Sequence, residues 1–257
     1  SFTKNRGPFG TRTKAIELSD TEWYLQLDGD DYLPQKTIEL LMKTIKKNLN
    51  SYYIYGNCLH FDHSSSYIKK PSEDFEDLCY GPLFNAASPI KKDLYNILGG
   101  YTKKLFINAD WDFWLKAYEK NIKGTRLNET IYARRNRNES VGNKFMNIRP
   151  MIIENIIKRH PVYFKNDTRK NAARYYVYKK LAGYYKAIGN RSMASNYAIN
   201  ALEFGMPTSS LKNIIDENKM PFIRYKIRRI IRYILINISK LIKIWKILLI
   251  LLIILIE

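Results

Sequence analysis

Trp23-Tyr24-Leu25-Gln26-Leu27-Asp28-Gly29-Asp30-Asp31 is the segment that decides the fold, because an apolar run stops here at three carboxylates. The bulky residues predict a buried strand over 23–28 whose acidic end lies at the C-terminal edge of a sheet, where open α/β sheets bind ligands. Neighbouring carboxylates repel one another unless a cation lies among them, and oxygen ligands favour hard ions such as Mg²⁺ or Mn²⁺. Asp28 and Asp30 are therefore candidate metal ligands, with Asp31 beside them. The alternative is a solvated acidic turn.

Two other uses of the acidic pattern can be tested on residue spacing. An EF-hand calcium loop that starts at Asp28 requires glycine at its sixth position, where Leu33 stands. The spacing excludes that loop. A phosphohydrolase of the Asp-x-Asp-x-Thr type would have Thr or Val at position 32, where this chain has Tyr32. That reading is disfavoured but stays open.

The first 145 residues alternate between strand and helix signals. Helical spacing of apolar residues follows Pro34, and a second amphipathic pattern covers 109–120. Strands are predicted over 52–61 and 125–132. Alternation of this kind predicts an α/β fold, a sheet flanked by helices and followed by an α-helical C-terminal region. The apolar residues of the helix after Pro34 are Ile38, Leu41, Met42 and Ile45.

From Met146 onward the sequence pattern predicts helices only. Small and aromatic residues over 182–202, with Pro207 following, are close to the spacing of one tetratricopeptide-like hairpin. One such repeat cannot bury its own apolar face, so we expect it to support the first domain. The predicted organisation is a catalytic-type domain over 1–145, a helical region over 146–217 and a C-terminal segment over 218–257.

The C-terminal segment combines positive charge with an aliphatic end. Basic residues recur mostly at multiples of four from Arg224, opposite an Ile/Leu face, which is typical of a basic amphipathic helix. The aliphatic run Ile247–Ile256 would span only about 15 Å as a helix, half of a hydrocarbon core of about 30 Å. We therefore expect residues 222–257 to bind an anionic membrane surface, peripherally or monotopically, on the cytoplasmic face. The alternative is a helix that packs on its own core or on a partner.

The composition limits the remaining classes of protein. The formal net charge is +19, yet no groove-reading motif accompanies it, so no nucleic-acid partner is expected. Cys58 and Cys79 form neither a zinc pattern nor a disulfide framework. These features are consistent with a reducing cytoplasm.

Three blocks of sequence resemble the family-2 glycosyltransferases of GT-A fold. Asn5–Ile16 looks like the family's "N-x-G-x-x-x-A-R-N-x-x-I" loop and helix, and Leu27–Asp31 like its "Leu-Asp-x-Asp-Asp". Gly99-Gly100-Tyr101 followed by Ala109–Leu115 is similar to "G-G-F … E-D-x-D-x-W-L". The resemblance extends from about Asn5 to about Gly142, and the order of the three blocks makes it more specific than any one of them.

The chain also departs from the family pattern. Thr11 and Lys14 replace Ala and Asn, and Ala109 replaces the Glu of a Glu-Asp pair. No Gln-x-x-Arg-Trp sequence is present, which argues against a processive synthase. The family's first βα units do not precede Ser1, so we expect that the N-terminus is missing, including the carboxylate that normally holds the nucleobase.

The resemblance implies roles for residues around the acidic segment. Asp28 and Asp30, with Asp31 adjacent, would hold the Mn²⁺ or Mg²⁺ that bridges the oxygens of a sugar nucleotide's diphosphate. Arg12 is a candidate for contacting the diphosphate or the base, since a guanidinium forks onto phosphate oxygens. An ordinary surface arginine is the alternative for Arg12.

Further roles fall near the second amphipathic helix. Asp110 is the candidate general base, placed at a helix start where the dipole favours the ionised carboxylate; the alternative is a helix N-cap. Asp112 could orient the acceptor. Arg134 and Arg135 would lie on the loop that closes over the donor in this family. The resemblance thus implies an inverting, non-processive glycosyltransferase that acts on a glycan or lipid-linked acceptor. A non-catalytic, truncated membrane-binding relative is the alternative.

Overall fold

A computed structural model gives the fold of the chain and describes residues 7–62, 65–72, 75–82, 88–105, 107–136, 144–205 and 208–216. The chain divides into two compact units, Ser1–Val177 and Tyr178–Glu257. The division falls within one long helix, Asp167–Ala187. The change from an alternating to a helical sequence pattern, on which the predicted domain boundary rests, lies near residue 146. The domain boundaries at 145 and 217 therefore stay predictions.

Strands and helices alternate along the first part of the chain. They are α1 Gly7–Leu18, β1 Trp23–Tyr24, α2 Thr37–Lys47, β2 Ile54–Phe61, β3 Ser66–Lys69, a 3₁₀ helix Phe75–Tyr80, β4 Ile90–Lys91, α3 Lys92–Ile97, α4 Ala109–Glu119 and β5 Thr125–Arg135. The sequence also predicts a short strand over 83–88, and residues 83–87 of it lie outside the described residues.

The strands form two small sheets. In the first, β2 lies between β3, to which it is antiparallel, and β5, to which it is parallel. In the second, β1 pairs with β4 in an antiparallel arrangement, and a bridge between Tyr53 and Ile90 connects β4 to the start of β2. Mixed sheets with flanking helices and a helical C-terminal region confirm the predicted α/β fold of GT-A type.

The acidic segment differs from the strand that we predicted over 23–28. Only Trp23 and Tyr24 have ladder pairing, opposite Lys91 and Ile90. Residues 25–28 continue without strand pairing among the described residues, and Leu25 packs against the core around Ile54. Burial in this core accounts for Trp23 and Leu25, whereas Leu27 is 50% exposed.

Helix α2 begins three residues later than Pro34, and of the four predicted apolar positions Leu41 and Ile45 face the core. Its buried residues are Thr37, Leu41 and Thr44. Ile38 and Met42 are 55% and 51% exposed. The helical period was correct, but a spacing pattern alone does not fix which side of an amphipathic helix faces the core.

Helix α4 forms the centre of the first unit and confirms the predicted helix over 109–120. Trp111, Phe113, Trp114 and Leu115 are all buried, so the helix is apolar on most of its circumference. The ring of Trp114 lies 4.9 Å from that of Tyr53 at the start of β2. Trp111 Nε1 donates a hydrogen bond of 2.7 Å to the carbonyl of Leu78. The position of α4 is therefore fixed by both stacking and hydrogen bonding.

Asp112 connects α4 to the next helical segment. Its side chain is fully buried and accepts hydrogen bonds from Thr102 Oγ1 (2.7 Å), Lys116 Nζ (2.9 Å) and Arg159 Nε (2.8 Å). His160 Nε2 lies 3.2 Å from the same carboxylate. Burial raises the pKa of Asp112, but the hydrogen bond from His160 and the charges of Lys116 and Arg159 outweigh it and lower the pKa well below the usual range. Asp112 therefore holds elements together, whereas we expected it to orient an acceptor.

Helices make up the rest of the described chain. They are a 3₁₀ helix Met146–Ile148, α5 Arg149–Arg159, α6 Asp167–Ala187, α7 Arg191–Leu202 and α8 Ser209–Asp216. Gly189 has a φ of +78° and ends α6, and Asn190 caps α7 by accepting a hydrogen bond of 3.1 Å from the amide of Met193. This helix pair agrees with the hairpin spacing, although its tetratricopeptide-like character stays a prediction.

Membrane association is not addressed by these elements. None of the helices in the described ranges combines the length and apolar content needed to cross a bilayer. The basic and aliphatic segment 218–257 lies outside the described residues.

Substitution of Asp112 tests the buried network. Asp112→Asn removes one charge of a buried ionic cluster and leaves cations without their partner, so it should lower the free energy of unfolding by about 3–5 kcal/mol. The measurement is urea denaturation at neutral pH. Asp167→Asn is the matched control: its carboxylate is 86% exposed and pairs with Lys170 at 3.2 Å, so stability should stay the same.

The same network predicts a dependence of stability on pH. Because the pKa of Asp112 is lowered by folding, its stabilising contribution is complete above the pKa of an unfolded Asp, about 3.9, and is lost as the pH falls below it. The stability difference between wild type and Asp112→Asn should therefore shrink on acidification. A difference that stays constant from pH 6 to pH 3 would contradict this role.

Candidate functional site

The acidic loop after β1 is fixed to β5 through Asp31. The hydroxyl of Tyr132 donates to Asp31 Oδ2 (2.5 Å) and the amide of Arg135 donates to Oδ1 (2.8 Å). Tyr32 also pairs with Ala133 through both backbone groups, at 3.0 and 2.9 Å. Both oxygens of Asp31 thus bind the scaffold. Its role as a cofactor ligand stays a prediction, because both carboxylate oxygens already accept hydrogen bonds that hold the loop.

Arg12, on α1, reaches the acidic loop from the other side. Its guanidinium Nη2 donates to Asp28 Oδ1 at 2.5 Å, and Cζ lies 5.2 Å from the ring centre of Phe9. Burial lowers the pKa of Arg12, but the hydrogen bond to Asp28 and the charges of Asp28 and Asp110 raise it above its usual value. Arg12 is therefore a fixed, permanently charged group at this edge.

The candidate metal ligands can be compared with these contacts. Asp28 is exposed and uses one of its two carboxylate oxygens for Arg12. Asp30, two residues further on, is partly buried. Within the described ranges, no group of three His, Cys, Asp or Glu side chains comes together as a metal site. Asp28 and Asp30 nevertheless supply the hard oxygen donors that Mn²⁺ or Mg²⁺ prefers, and the phosphates of a substrate would supply others.

Asp110 lies in the first turn of α4. Its Oδ1 accepts a hydrogen bond of 3.0 Å from the amide of Trp111. Burial raises the pKa of Asp110, and the amide hydrogen bond together with the charges of Arg12 and Arg134 only partly offsets this. We expected the helix start to keep the carboxylate ionised; the structure adds a desolvation effect that makes Asp110 a stronger base than an exposed aspartate.

Arg12 therefore connects two parts of the candidate site. It hydrogen-bonds to Asp28 and lies within electrostatic range of Asp110, more than 80 positions away in sequence. A cation that is bonded to Asp28 and lies within electrostatic range of Asp110 relates the acidic loop to the candidate base. This arrangement can position a phosphate group near Asp28 and a hydroxyl group near Asp110.

Arg134 and Arg135 occupy the end of β5 and not the loop that we predicted. The strand extends to Arg135 because it pairs in parallel with β2 up to Phe61. Arg135 Nε donates to the carbonyl of Asp30 at 3.2 Å, and its Cζ lies 4.7 Å from the ring centre of Phe61. Arg135 thus supports the acidic loop. Arg134 is exposed and acts electrostatically on Asp110.

Two residues near Arg12 were not assigned a role from the sequence. Gln26 Nε2 donates to the hydroxyl of Tyr101 at 2.5 Å, and Tyr101 lies within electrostatic range of both Arg12 and Asp110. Gly100, before Tyr101, has a φ of +66° and would place a Cβ only 2.6 Å from the ring of Tyr95. The sequence did contain a signal for these two residues. Tyr101 stands where the family motif has phenylalanine, and Gln26 lies two positions before Asp28.

Two further residues near Asp110 come from the helices. Arg149, at the start of α5, and Tyr176, on α6, both interact electrostatically with Asp110. Neither belongs to a recognisable motif, and they lie well beyond the segment that resembles the family. The sequence contained no signal for them, because their approach to Asp110 depends on how α5 and α6 fold onto α4.

Comparison with known families gives a match over a segment that includes α1 and the acidic loop. Residues 1–108 match the family model described as Glycosyl transferase family 2. The matched segment contains Arg12 and Asp28 and ends two positions before Asp110. This match confirms the resemblance that the motifs of the segment show. Comparison with curated proteins finds no matching sequence.

Solved structures similar to this chain include the crystal structure of S. aureus TarS. The TM-score is 0.48 and the sequence identity is 13%. The alignment covers 84% of this chain and 42% of the TarS chain, so this chain spans less than half the length of that structure.

Proposed function

We propose that this chain provides the donor site and the catalytic base of a glycosyltransferase that uses a nucleoside-diphosphate sugar. The observation that carries the proposal is the ion pair between Arg12 and Asp28, with Asp110 within electrostatic range of the same guanidinium. Arg12 and Asp28 belong to the segment that matches the family model. The acceptor is a glycan or a lipid-linked glycan, and polysaccharide biosynthesis is the expected context.

The proposed reaction involves three groups: the acceptor hydroxyl, the anomeric carbon of the sugar and the leaving diphosphate. Asp110 takes the proton of the acceptor hydroxyl, and the oxygen forms a bond to the anomeric carbon of the sugar. The bond between that carbon and the diphosphate breaks, and the diphosphate leaves with the electron pair. Arg12 lies where it can neutralise the charge that develops on the leaving phosphate. A single displacement of this kind inverts the anomeric configuration, and the absence of the processive motif favours one transfer per encounter.

The donor requires a divalent cation in this proposal. Asp28 and Asp30 would hold Mn²⁺ or Mg²⁺, which neutralises the diphosphate as a Lewis acid when bound. Asp31, Arg134 and Arg135 were also assigned to donor binding. Arg135 and Asp31 act on the donor by holding the acidic loop in place, and Arg134 is the exposed cation of this group.

Two variants of the full chain separate donor binding from catalysis. Asp30→Ala should abolish Mn²⁺-dependent binding of a nucleoside diphosphate, measured by calorimetry with UDP, GDP, CDP and dTDP. Asp110→Asn should keep that binding, because the base acts on the acceptor, and should lose about 10²- to 10⁴-fold in turnover. Turnover is measured as release of nucleoside diphosphate from a panel of sugar nucleotides with an acceptor library.

Each variant is the control for the other. Metal-independent binding that survives Asp30→Ala would remove the acidic loop from the donor site. Normal turnover in Asp110→Asn would make Asp110 an ordinary helix cap. Nucleotide binding without any turnover in wild type would favour the alternative, a non-catalytic relative that binds membrane and partner.

The C-terminal segment supports a second part of the proposal, which is location at the cytoplasmic face of a membrane. Residues 218–257 hold nine Lys or Arg against one acidic residue and end in the aliphatic run Ile247–Ile256. The aliphatic face and the attraction of the basic residues to anionic lipid, about 1 kcal/mol each near the surface, would act together. An enzyme held there would meet a lipid-linked acceptor.

Vesicle binding tests this location. The intact chain should bind anionic vesicles more tightly than neutral ones, and high salt should weaken the difference because it screens the charges. A variant that lacks residues 222–257 is the control and should bind neither. Equal binding to both vesicle types, together with resistance to carbonate extraction, would contradict an interfacial helix.

A further inference from the structure

The acidic loop, taken as residues 26–31, is held to the rest of the molecule at both of its ends. At the C-terminal end, both carboxylate oxygens of Asp31 accept hydrogen bonds from β5. At the N-terminal end, Gln26 Nε2 donates a hydrogen bond of 2.5 Å to the hydroxyl of Tyr101. Asp28 and Asp30, the candidate metal ligands, lie between these two attachments. Their position therefore depends on what holds the partners of the loop in place.

The residues on either side of Tyr101 are hydrogen-bonded to α4. The carbonyl of Gly100 accepts a hydrogen bond of 3.0 Å from Lys116 Nζ, and Thr102 Oγ1 donates one of 2.7 Å to Asp112. Both partners belong to α4, the helix whose first turn contains the candidate base. The backbone at Tyr101 is therefore fixed relative to that helix.

The ring of Tyr101 packs against three elements. Its centre lies 5.1 Å from the ring centre of Phe9 on α1, 5.6 Å from that of Tyr95 on α3 and 5.3 Å from that of Phe113 on α4. Tyr101 is only 5% exposed, so these contacts are buried. Packing on several sides sets the direction in which the hydroxyl of Tyr101 points.

Tyr101 also contacts the surroundings of both partners of the ion pair between Arg12 and Asp28. The ring of Phe9, against which Tyr101 packs, lies 5.2 Å from Cζ of Arg12. Gln26, which is bonded to the Tyr101 hydroxyl, precedes Asp28 by two residues. These contacts close a ring that runs from Tyr101 through α1 and the ion pair to the acidic loop and back to Tyr101.

The amide of Gln26 depends on its hydrogen bond to Tyr101. The other polar atom of this amide, Oε1, is buried and has no hydrogen-bond partner among the described residues. Loss of the Tyr101 hydroxyl would leave Nε2 unpaired as well, and a buried amide without partners is costly. The start of the acidic loop would then shift to restore hydrogen bonding, and Asp28 would move with it.

We propose that Tyr101 is a positioning residue of the transferase site: its hydroxyl, through Gln26, fixes the acidic loop and the donor bound there relative to the candidate base on α4. This inference rests on the proposed function and adds a residue to it. In this role Tyr101 touches neither the donor nor the acceptor. It acts through the hydrogen bond to Gln26, whereas its ring serves the packing of the core.

Tyr101→Phe tests the proposal, because it removes the hydroxyl and keeps the ring. In the full chain, ¹⁵N relaxation should show that the amide of Gly29 becomes mobile, since one attachment of the acidic loop is lost. Turnover should fall about 10- to 100-fold, as expected for a misplaced reactant. The affinity for a nucleoside diphosphate with Mn²⁺ should change much less than turnover, because Arg12 and Asp28 still pair.

Two further variants separate positioning from stability. Tyr95→Phe removes a hydroxyl from the same group of rings, one that donates to Thr13 on α1 at 2.7 Å, and should keep the wild-type turnover and the wild-type relaxation of Gly29. Gln26→Leu combined with Tyr101→Phe replaces both hydrogen-bonding groups by apolar ones. This double variant should regain the urea midpoint that Tyr101→Phe lowers, because no buried amide is left unpaired. Its turnover should stay low, because the hydrogen bond that fixes the loop is still absent.

Each result has a definite meaning. A rigid Gly29 amide or normal turnover in Tyr101→Phe would overturn the positioning role. A double variant that regains turnover together with stability would also overturn it, since Tyr101 would then act on folding alone. A loss of nucleotide affinity as large as the loss of turnover would assign Tyr101 to donor binding instead. If the wild type neither binds a nucleoside diphosphate nor turns over, the proposed function fails, whereas the relaxation of Gly29 still shows whether Tyr101 holds the loop.

Discussion

The guanidinium of Arg12 is the contact on which the account of the site depends. It hydrogen-bonds to Asp28 and remains within electrostatic range of Asp110, so one cation joins the acidic loop to helix α4. Without it, Asp28 would lose its ion-pair partner and Asp110 one of the cations that act on it. Burial raises the pKa of Asp110 and makes it a better proton acceptor than an exposed aspartate.

Helix α4 presents two aspartates with opposite electrostatic behaviour. Asp110 is dehydrated and only partly compensated, which raises its pKa. Asp112 is fully buried and surrounded by Lys116, Arg159 and His160, which lowers its pKa. Two residues with the same chemistry thus differ in character: Asp112 is a structural anchor, and Asp110 is the group that we propose as the base. The anchor attaches the C-terminal end of α5 to α4 through Arg159 and His160.

Local patterns in the sequence predicted features that depend on local structure. The limits of α4 were predicted to within one residue. The motifs also suggested site roles for Asp28, Arg12 and Asp110, and these roles stay predictions. The strand over 23–28 was wrong beyond Tyr24, because ladder pairing depends on where β4 lies. Arg149 and Tyr176 were not found at all, since their proximity to Asp110 is a property of tertiary structure. His160 was given no role, although its two ring nitrogens lie 3.0 Å from Glu119 and 3.2 Å from Asp112.

The most direct measurement is the pKa of the Asp110 carboxyl group, from the pH dependence of its ¹³C chemical shift in wild type, Arg12→Gln and, as a control, Arg174→Gln. The account predicts a wild-type pKa above the ordinary value of about 3.9, a further rise in Arg12→Gln because a compensating charge is lost, and no change in Arg174→Gln. A wild-type pKa at or below the ordinary value, or one that Arg12→Gln leaves unchanged, would contradict the link between the acidic loop and the base.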